Sequence, residues 1–274
     1  MIITSLVDDI STQGMPTEHG LSLHIRLTNG QTILFDMGQS DLFLRNAQRL
    51  GIDITHVDTA IVSHGHYDHG GGLKTFIDIN PTAPIYIHQD AFQPHYSLRD
   101  EGLTYIGLDS AMHQSSRLVP CGAVTAITSD MTLFADVPVV GCYPGGNRLL
   151  FGPDPQQHDL FSHEQHLVIH EDNRYILIAG CAHRGIGNIV RRCSEIIGQA
   201  PDCVLAGMHM VKSGLDARQQ EDYIHQVAAE LMNYRTTCFY TMHCTGTDAY
   251  TALKTVMGGQ INYLSCGQQT EIKK

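Results

Sequence analysis

The sequence is short of positive charge. It carries 17 lysine and arginine residues against 28 aspartate and glutamate residues, which gives a formal net charge of −11 over 274 residues. An acidic protein on average repels nucleic acid and anionic membrane surfaces. We therefore expect neither a nucleic-acid partner nor a membrane partner.

Long apolar runs and paired cysteines are also missing. No run approaches the roughly 18 apolar residues of a membrane-spanning helix, and Asp8 and Asp9 come too early for a secretory signal peptide. The eight cysteines include no C-x-x-C pair, which suits a reducing compartment. We expect a cytoplasmic protein. Its oligomeric state stays open, with a homodimer as one alternative.

What is present is a globular composition with a repeated order of elements. Hydrophobic residues make up 42% of the chain and charged residues 16%. β-Hairpins followed by strand–helix units occur twice, and no linker or low-complexity segment separates the two halves. We predict one domain over residues 1–274, built of two similar halves, in which two sheets pack together with helices outside.

The spacing of apolar residues predicts the individual elements. Strands are predicted at 2–7, 21–27, 32–35, 59–62, 85–87, 124–127, 132–135, 166–170, 175–178, 203–206 and 237–241. Helices are predicted at 41–50, 186–197, 217–232 and 247–257. The stretch 92–117 is predicted to be an irregular lid or loop, and 143–162 a long loop rich in Gly, Pro and Asp.

The chain contains 17 histidines, and four metal-binding side chains lie together in one motif. Residues 63–72 read Ser-His-Gly-His-Tyr-Asp-His-Gly-Gly-Gly directly after a predicted strand. His64 and His66 are two apart in an extended loop and can face one point, whereas Asp68 and His69 follow half a turn later and face a second point. Borderline metals such as Zn²⁺ prefer these ligands. The motif predicts two divalent ions, with zinc expected and iron or manganese as alternatives; a solvated polar turn is the competing interpretation.

This motif resembles the signature loop of the metallo-β-lactamase superfamily, and residues 33–38 resemble the strand–Asp–x–Gly element that buttresses it. The resemblance implies an α/β (α+β) fold, a four-layer αββα sandwich with a dinuclear site at one edge. Four further segments resemble one branch, which is similar to the dihydropterin–ribofuranosylaminobenzene phosphate synthases of archaeal methanopterin biosynthesis and their bacterial relatives. They are residues 18–22, 180–185, 207–209 and 243–246.

The resemblance also implies the remaining ligands by position. Many relatives have a bridging Asp where this chain has Cys181, which is either a thiolate ligand or a small buried residue. His183 is the better ligand there, and His243 is expected to be the last one, with a buried structural histidine as its alternative. His163 and His166 lack the preceding glycine of the family element and rank low as ligands. The implied metal ligands are His64, His66, Asp68, His69, His183 and His243.

Asp68, His209 and His19 are the candidate catalytic residues. His209 follows the predicted strand 203–206, so its side chain can reach the same edge of the sheet and hold a substrate phosphate or stabilise a leaving group. A structural role is the alternative for His209. Arg184 and Lys212 lie beside the site in sequence and are candidates for holding an anion, although each alone is also typical of an exposed charge.

A pair of divalent ions can activate water and stabilise an oxyanion. We therefore expect an enzyme acting on an anionic small molecule, a phosphate or pyrophosphate ester, by hydrolysis or by a synthase-like transfer in which pyrophosphate departs. A lactonase or thioesterase on the same scaffold is the alternative. A ligand-binding protein with a catalytically silent site is an alternative of another class, and the intact ligand set argues against it.

Overall fold

Alternating apolar side chains build two seven-stranded sheets and one small three-stranded sheet. The structure is a computed structural model that describes residues 1–211 and 215–273. Each predicted strand is present, with ends that differ by at most two residues. The strands are β1 (Ile2–Val7), β2 (Ser22–Arg26), β3 (Thr32–Phe35), β4 (Thr59–Val62), β5 (Ile85–His88), β6 (Tyr96–Arg99), β7 (Gly102–Tyr105), β8 (Leu118–Cys121), β9 (Val124–Ala126), β10 (Met131–Phe134), β11 (Leu150–Phe151), β12 (His166–Glu171), β13 (Arg174–Ile178), β14 (Cys203–Ala206), β15 (Cys238–Thr241), β16 (Ile261–Tyr263) and β17 (Gln269–Glu271).

Six α-helices accompany the strands in the described ranges, and the four predicted from apolar spacing are among them. The prediction missed two short helices, one inside the histidine motif and one directly after it, because three consecutive glycines interrupt any helical period there. The helices are α1 (Leu42–Arg49), α2 (Tyr67–Gly70), α3 (Leu73–Ile79), α4 (Ile186–Ile197), α5 (Ala217–Met232) and α6 (Thr247–Met257).

The buried side chains form three layers of core, which confirms the predicted four-layer αββα sandwich. The first sheet has the order β17-β1-β2-β3-β4-β5-β8 and the second β16-β15-β14-β13-β12-β10-β9. Ile25 and Phe35 of the first sheet share a cluster with Ile176 of the second, so the two sheets face each other. Helices α1 and α3 cover the outer face of the first sheet, and α4, α5 and α6 cover that of the second. Alternation along each strand supplies both of its faces.

The prediction of irregular structure at 92–117 is wrong for part of that stretch. Strands β6 and β7 form an antiparallel hairpin, and β11, inside the predicted loop 143–162, pairs with β6. The outward-facing pair Leu98 and Leu103 is 45% and 46% exposed, so these short strands lack the buried stripe that identifies a strand in sequence. The segment after the hairpin packs on the histidine motif, where the Tyr67 amide donates to the Ile106 carbonyl at 2.9 Å.

Parallel strands direct the chemistry-bearing loops to one edge. Strands β3, β4 and β5 run parallel in the first sheet, as do β13, β14 and β15 in the second. Loops that follow the carboxyl ends of parallel strands lie on the same side of a sheet, where α/β proteins place their sites. No helix in residues 1–211 and 215–273 is long and apolar enough to cross a membrane.

Candidate metal centre

The predicted ligands meet where the two sheets bring their strand ends together. The histidine motif follows β4, Cys181 and His183 follow β13, His209 follows β14, and His243 follows β15. Several of these positions require unusual backbone: φ is +57° at Ala182, +45° at His209 and +49° at His243. Left-handed backbone at non-glycine residues is costly and concentrates at functional sites.

A first cluster of donor atoms comes from His64, His66 and His183, whose ligand atoms all lie within 4.8 Å of one another. His64 Nε2 and His66 Nδ1 are 3.1 Å apart. Two nitrogens on one tetrahedral zinc lie about 3.3 Å apart, since each Zn–N bond is about 2.0 Å. All three residues are buried. The cluster therefore has the spacing and the donor type of a metal site.

A second cluster consists of Asp68, His69, Cys181 and His243, again with ligand atoms within 4.8 Å of one another. Asp68 Oδ2 lies 3.6 Å from His69 Nε2 and 3.4 Å from His243 Nε2. Cys181 Sγ is 3.1 Å from His69 Nε2 and also groups with His183 and His209. The thiol thus lies between the two clusters.

Hydrogen bonds to the outer nitrogens fix how the rings face the clusters. His69 Nδ1 lies 2.6 Å from Asp36 Oδ2, and His243 Nδ1 lies 2.6 Å from Asp9 Oδ1. A carboxylate only accepts, so each Nδ1 carries a hydrogen, and each Nε2, which faces the cluster, is the atom left to bind a metal. His64 Nδ1 donates in the same way to Ser63 Oγ, whose hydrogen goes to Asp36. Such outer partners are typical of metal-ligating histidines.

Asn147 plays this part for His183. Its Nδ2 donates to the His183 carbonyl at 2.7 Å, so its Oδ1 faces His183 Nδ1 at 3.0 Å and accepts from it. The buried Nε2 atoms of His183 and His243 then have no hydrogen-bond partner in the described residues. Buried polar atoms are rarely left unpaired. These unpaired nitrogens, with the imidazole, carboxylate and thiol donors around them, fit divalent metal ions.

The charge state of the first cluster suits ligation. Burial, and then the neighbouring imidazoles, holds the pKa of His64 and of His183 well below the ordinary value. Burial likewise lowers the pKa of His66. The three rings are therefore neutral at pH 7, and neutral imidazole is the form that binds a metal.

Interactions between oppositely charged side chains stabilise the second cluster. Burial alone would raise the pKa of Asp68, but His69 and His243 hold it well below the ordinary value. Burial opposes a charge on His243, yet Cys244, Asp68 and Asp9 raise its pKa well above the usual range. Without an ion, His243 carries a proton that a bound metal would have to displace.

Two polar residues that sequence analysis missed hold the loop after β13. Glu164 is fully buried, and its carboxylate accepts from the His183 amide at 2.7 Å and from the Arg184 amide at 2.9 Å. Burial raises the pKa of Glu164 to about 7. Asn147 is the second such residue. Neither has a sequence signal, because each lies far along the chain from the loop that it holds.

The histidines that ranked low as ligands lie outside the two clusters. His163 Nδ1 accepts from the Gly65 amide at 2.9 Å, and its Nε2 lies 3.2 Å from Asp159 Oδ2. His166 packs beside Phe134, with ring centroids 5.1 Å apart. His163 instead belongs to a further buried group beside His66, together with His95 and Asp159.

The two remaining catalytic candidates flank the clusters on different sides. His19 is half exposed; its Nδ1 lies 2.9 Å from Asp9 Oδ2 and its Nε2 3.3 Å from Asp68 Oδ2. The His209 ring lies 4.3 Å from that of His183, and its buried Nδ1 has no hydrogen-bond partner among the described residues. His209 is therefore the candidate with a free polar atom.

The anion-binding role predicted for Arg184 does not fit its contacts. Its guanidinium donates to the carbonyl of Val137, with Nε at 3.0 Å, and also to the carbonyl of Leu160. These bonds fix the side chain to the backbone of two neighbouring loops. Lys212, the other predicted anion-binding residue, lies outside the described residues.

Comparison with known proteins gives consistent matches. The family model of the metallo-beta-lactamase superfamily matches residues 17–202. An uncharacterized protein of Methanocaldococcus jannaschii is 31% identical over 272 residues, which cover 92% of this chain and 93% of the relative. From the same organism, 7,8-dihydropterin-6-methyl-4-(β-D-ribofuranosyl)-aminobenzene-5′-phosphate synthase is 28% identical over 273 residues. The match covers 90% of this chain and 88% of the synthase. A crystal structure described as a metal-dependent hydrolase of the β-lactamase superfamily shares 30% identity and covers 100% of both chains, with a TM-score of 0.83.

Proposed function

The chain belongs to the metallo-β-lactamase superfamily, and from this premise we propose that it is a dinuclear metal-dependent enzyme acting on a small phosphate or pyrophosphate ester. One observation carries the proposal: two buried donor clusters adjoin, and Cys181 of the second cluster also lies within 4.8 Å of the ligand atom of His183 in the first. His64, His66 and His183 would hold one ion, and Asp68, His69 and His243 the other. Zinc is the proposed metal because imidazole and thiolate suit it; iron and manganese are the alternatives.

When bound, the ions supply Lewis-acid activation of water and of the phosphoryl group. The protein's own contribution begins with rigid placement of the donors by Asp36, Asp9 and Asn147. His19 lies between the carboxylates of Asp9 and Asp68, which suits it to orient Asp68. His209 has a free Nδ1 beside the first cluster, which suits it to contact a substrate oxygen or to give a proton to the leaving group.

The sources of positive charge near the site favour a phosphate-bearing substrate. The net charge is −11, and the guanidinium of Arg184 is taken up by backbone carbonyls. Two divalent ions would be the main local positive charge, and such a pair would stabilise the negative charge of a phosphoryl group. The same net charge favours a small anionic substrate over nucleic acid as the partner.

The test is a substrate panel on the metal-loaded protein. Phosphate esters, pyrophosphate esters, lactones and thioesters are compared, and pyrophosphate is added as a competitor. We expect turnover of a phosphate or pyrophosphate ester, inhibition by pyrophosphate, and loss of activity with a chelator. In His209→Ala, turnover should fall about 10²-fold or more while metal content stays intact, and His225→Ala, at an exposed position, is the matched control.

A neutral lactone or thioester as the best substrate, indifferent to pyrophosphate, would refute the phosphate proposal and leave the lactonase or thioesterase alternative. If the protein carries two ions but turns over no compound in the panel, the result would favour the alternative of a ligand-binding protein with a catalytically silent site.

Transfer is the second candidate, and the relative named as a synthase favours it because the match covers 90% of this chain. A synthase joins two molecules, whereas a hydrolase consumes water. Assays of a pterin pyrophosphate with and without an arylamine phosphate separate the two. Product that carries the arylamine indicates transfer, and release of the free pterin alcohol at the same rate without the arylamine indicates hydrolysis.

A further inference from the structure

A buried polar group adjoins His66. It consists of His95, Asp159 and His163, with ligand-type atoms within 4.8 Å of one another and of one on His66. All are at most 6% exposed. His95 comes from the segment between β5 and β6, and Asp159 and His163 come from the loop between β11 and β12. The group therefore joins two loops to the motif.

His163 is not free to bind an ion. Its Nδ1 accepts the Gly65 amide hydrogen at 2.9 Å, so its Nε2 carries the ring hydrogen and donates to Asp159 Oδ2 at 3.2 Å. Both nitrogens are in use. A metal ion bound by this group would have to break one of these bonds.

His95 has one nitrogen in use and one free. Its Nδ1 lies 2.8 Å from Asp159 Oδ2, and because a carboxylate only accepts, this nitrogen carries the hydrogen. Its Nε2 therefore presents a lone pair, and it is buried without a hydrogen-bond partner in the described residues. The His95 and His66 rings meet edge-on, with centroids 5.6 Å apart and an interplanar angle of 71°.

His66, in contrast, has a ring hydrogen without an acceptor. Its Nδ1 faces His64 Nε2 in the first cluster, so a metal bound there leaves the hydrogen on Nε2. That Nε2 is buried and also has no hydrogen-bond partner within the described ranges. The other histidines of the clusters have outer acceptors, namely Ser63 for His64, Asp36 for His69, Asn147 for His183 and Asp9 for His243.

We propose that His95 is a positioning residue for His66: with an ion at His66, its Nε2–H would donate to His95 Nε2, a bond that the two rings do not make in this structure, while His95 Nδ1–H donates to Asp159. The proposal rests on the proposed function, because it needs an ion at His66. Gly65 contributes close approach: a Cβ there would come within 2.8 Å of His95 Nε2. This chain of hydrogen bonds would link the first metal site to residues 89–107, which lie outside the motif that supplies the ligands.

The test compares two substitutions of His95 by metal titration against a competing chelator. His95→Gln keeps an acceptor for His66 and a donor for Asp159, whereas His95→Leu keeps only volume. We expect His95→Leu to weaken binding of one ion about 10- to 100-fold and His95→Gln to restore most of the affinity. The absorption spectrum of the cobalt-loaded protein should change with His95→Leu. His113→Leu, an exposed histidine that follows this segment in the sequence, is the control.

Wild-type affinity in His95→Leu overturns the proposal, and so does an equal loss in Gln and Leu. Loss of a third ion from His95→Leu, with two retained at full affinity, would make His95 a ligand and also overturn it. If His95→Leu does not fold, Asp159→Asn decides by the same titration, with weakened binding of one ion expected. A wild type that binds no ion pair refutes the proposed function instead, so the two failures are distinguishable.

Discussion

Cys181 places a buried thiol next to both donor clusters. Burial and the neighbouring Cys244 raise the pKa of the Cys181 thiol well above the ordinary value in the metal-free chain. Only a thiolate ligates, so an ion must displace this proton. With Sγ 3.1 Å from His69 Nε2, the thiol is placed for the second ion more directly than for the first.

We predict that Cys181→Ser retains the ion of the three-histidine cluster and loses affinity for the second ion. The metal content after dialysis should fall from about two ions towards one. In cobalt-loaded protein the thiolate charge-transfer band should disappear. Cys142→Ser, at a half-buried thiol outside both clusters, should behave as wild type. Two ions bound to Cys181→Ser with unchanged affinity would make Cys181 only a small buried residue.

The sequence predicts the side chains that form the clusters better than the side chains that hydrogen-bond to those ligands. His64, His66, Asp68 and His69 lie within one short motif, so their spacing alone brings them to two points. Asn147 was missed because its partner His183 is 36 residues away, a pairing that exists only after β13 and the loop near β11 are packed. Side chains that orient ligands through tertiary contacts have no local pattern to be recognised by.

At the scale of elements, prediction succeeded where burial is one-sided and regular. Helix α4 matches its predicted bounds because Ile186, Ile189, Val190 and Cys193 form a continuous buried stripe. The hairpin of β12 and β13 turns at Asp172 and Asn173, and both have positive φ as such a turn requires. Strands β6 and β7 were missed because their outer side chains stay exposed. That hairpin and its flanks are nevertheless what covers the histidine motif.

We predict that Gly65→Ala destabilises the contact between the motif and this covering segment. The added Cβ would clash with the Ala91 carbonyl oxygen and come within 2.8 Å of His95 Nε2. Forced overpacking of this kind costs about 1–3 kcal/mol, and urea unfolding of the metal-free protein measures it. Gly122→Ala, where a Cβ meets nothing within 4 Å, is the matched control. Equal stability of the two variants would show that the segment yields without cost.

At the scale of the whole molecule, the two donor clusters lie where the two sheets meet. The motif after β4 belongs to the first sheet, whereas His183 and His243 follow strands of the second. Each cluster takes ligands from both sides: His183 completes the first, and Cys181 and His243 complete the second. Unfolding separates the sheets and destroys both clusters, so the binding of an ion by these clusters would be linked to folding.

We therefore predict that chelation lowers the melting temperature of the wild type. An ion present at about 100 times its Kd stabilises the fold by about 2.7 kcal/mol, and for a chain of this size each kcal/mol moves the melting temperature by about 2–4 °C. The shift on chelation should therefore be at least about 5 °C, and addition of zinc should reverse it.

The double variant His64→Ala/His69→Ala removes one ligand from each cluster and should melt at one temperature with or without zinc. The double variant His56→Ala/His225→Ala removes two exposed histidines and should keep the full shift, which separates the buried centre from zinc bound to surface imidazoles. A wild type whose melting temperature ignores both chelator and zinc would mean that the clusters hold no ion in the folded protein.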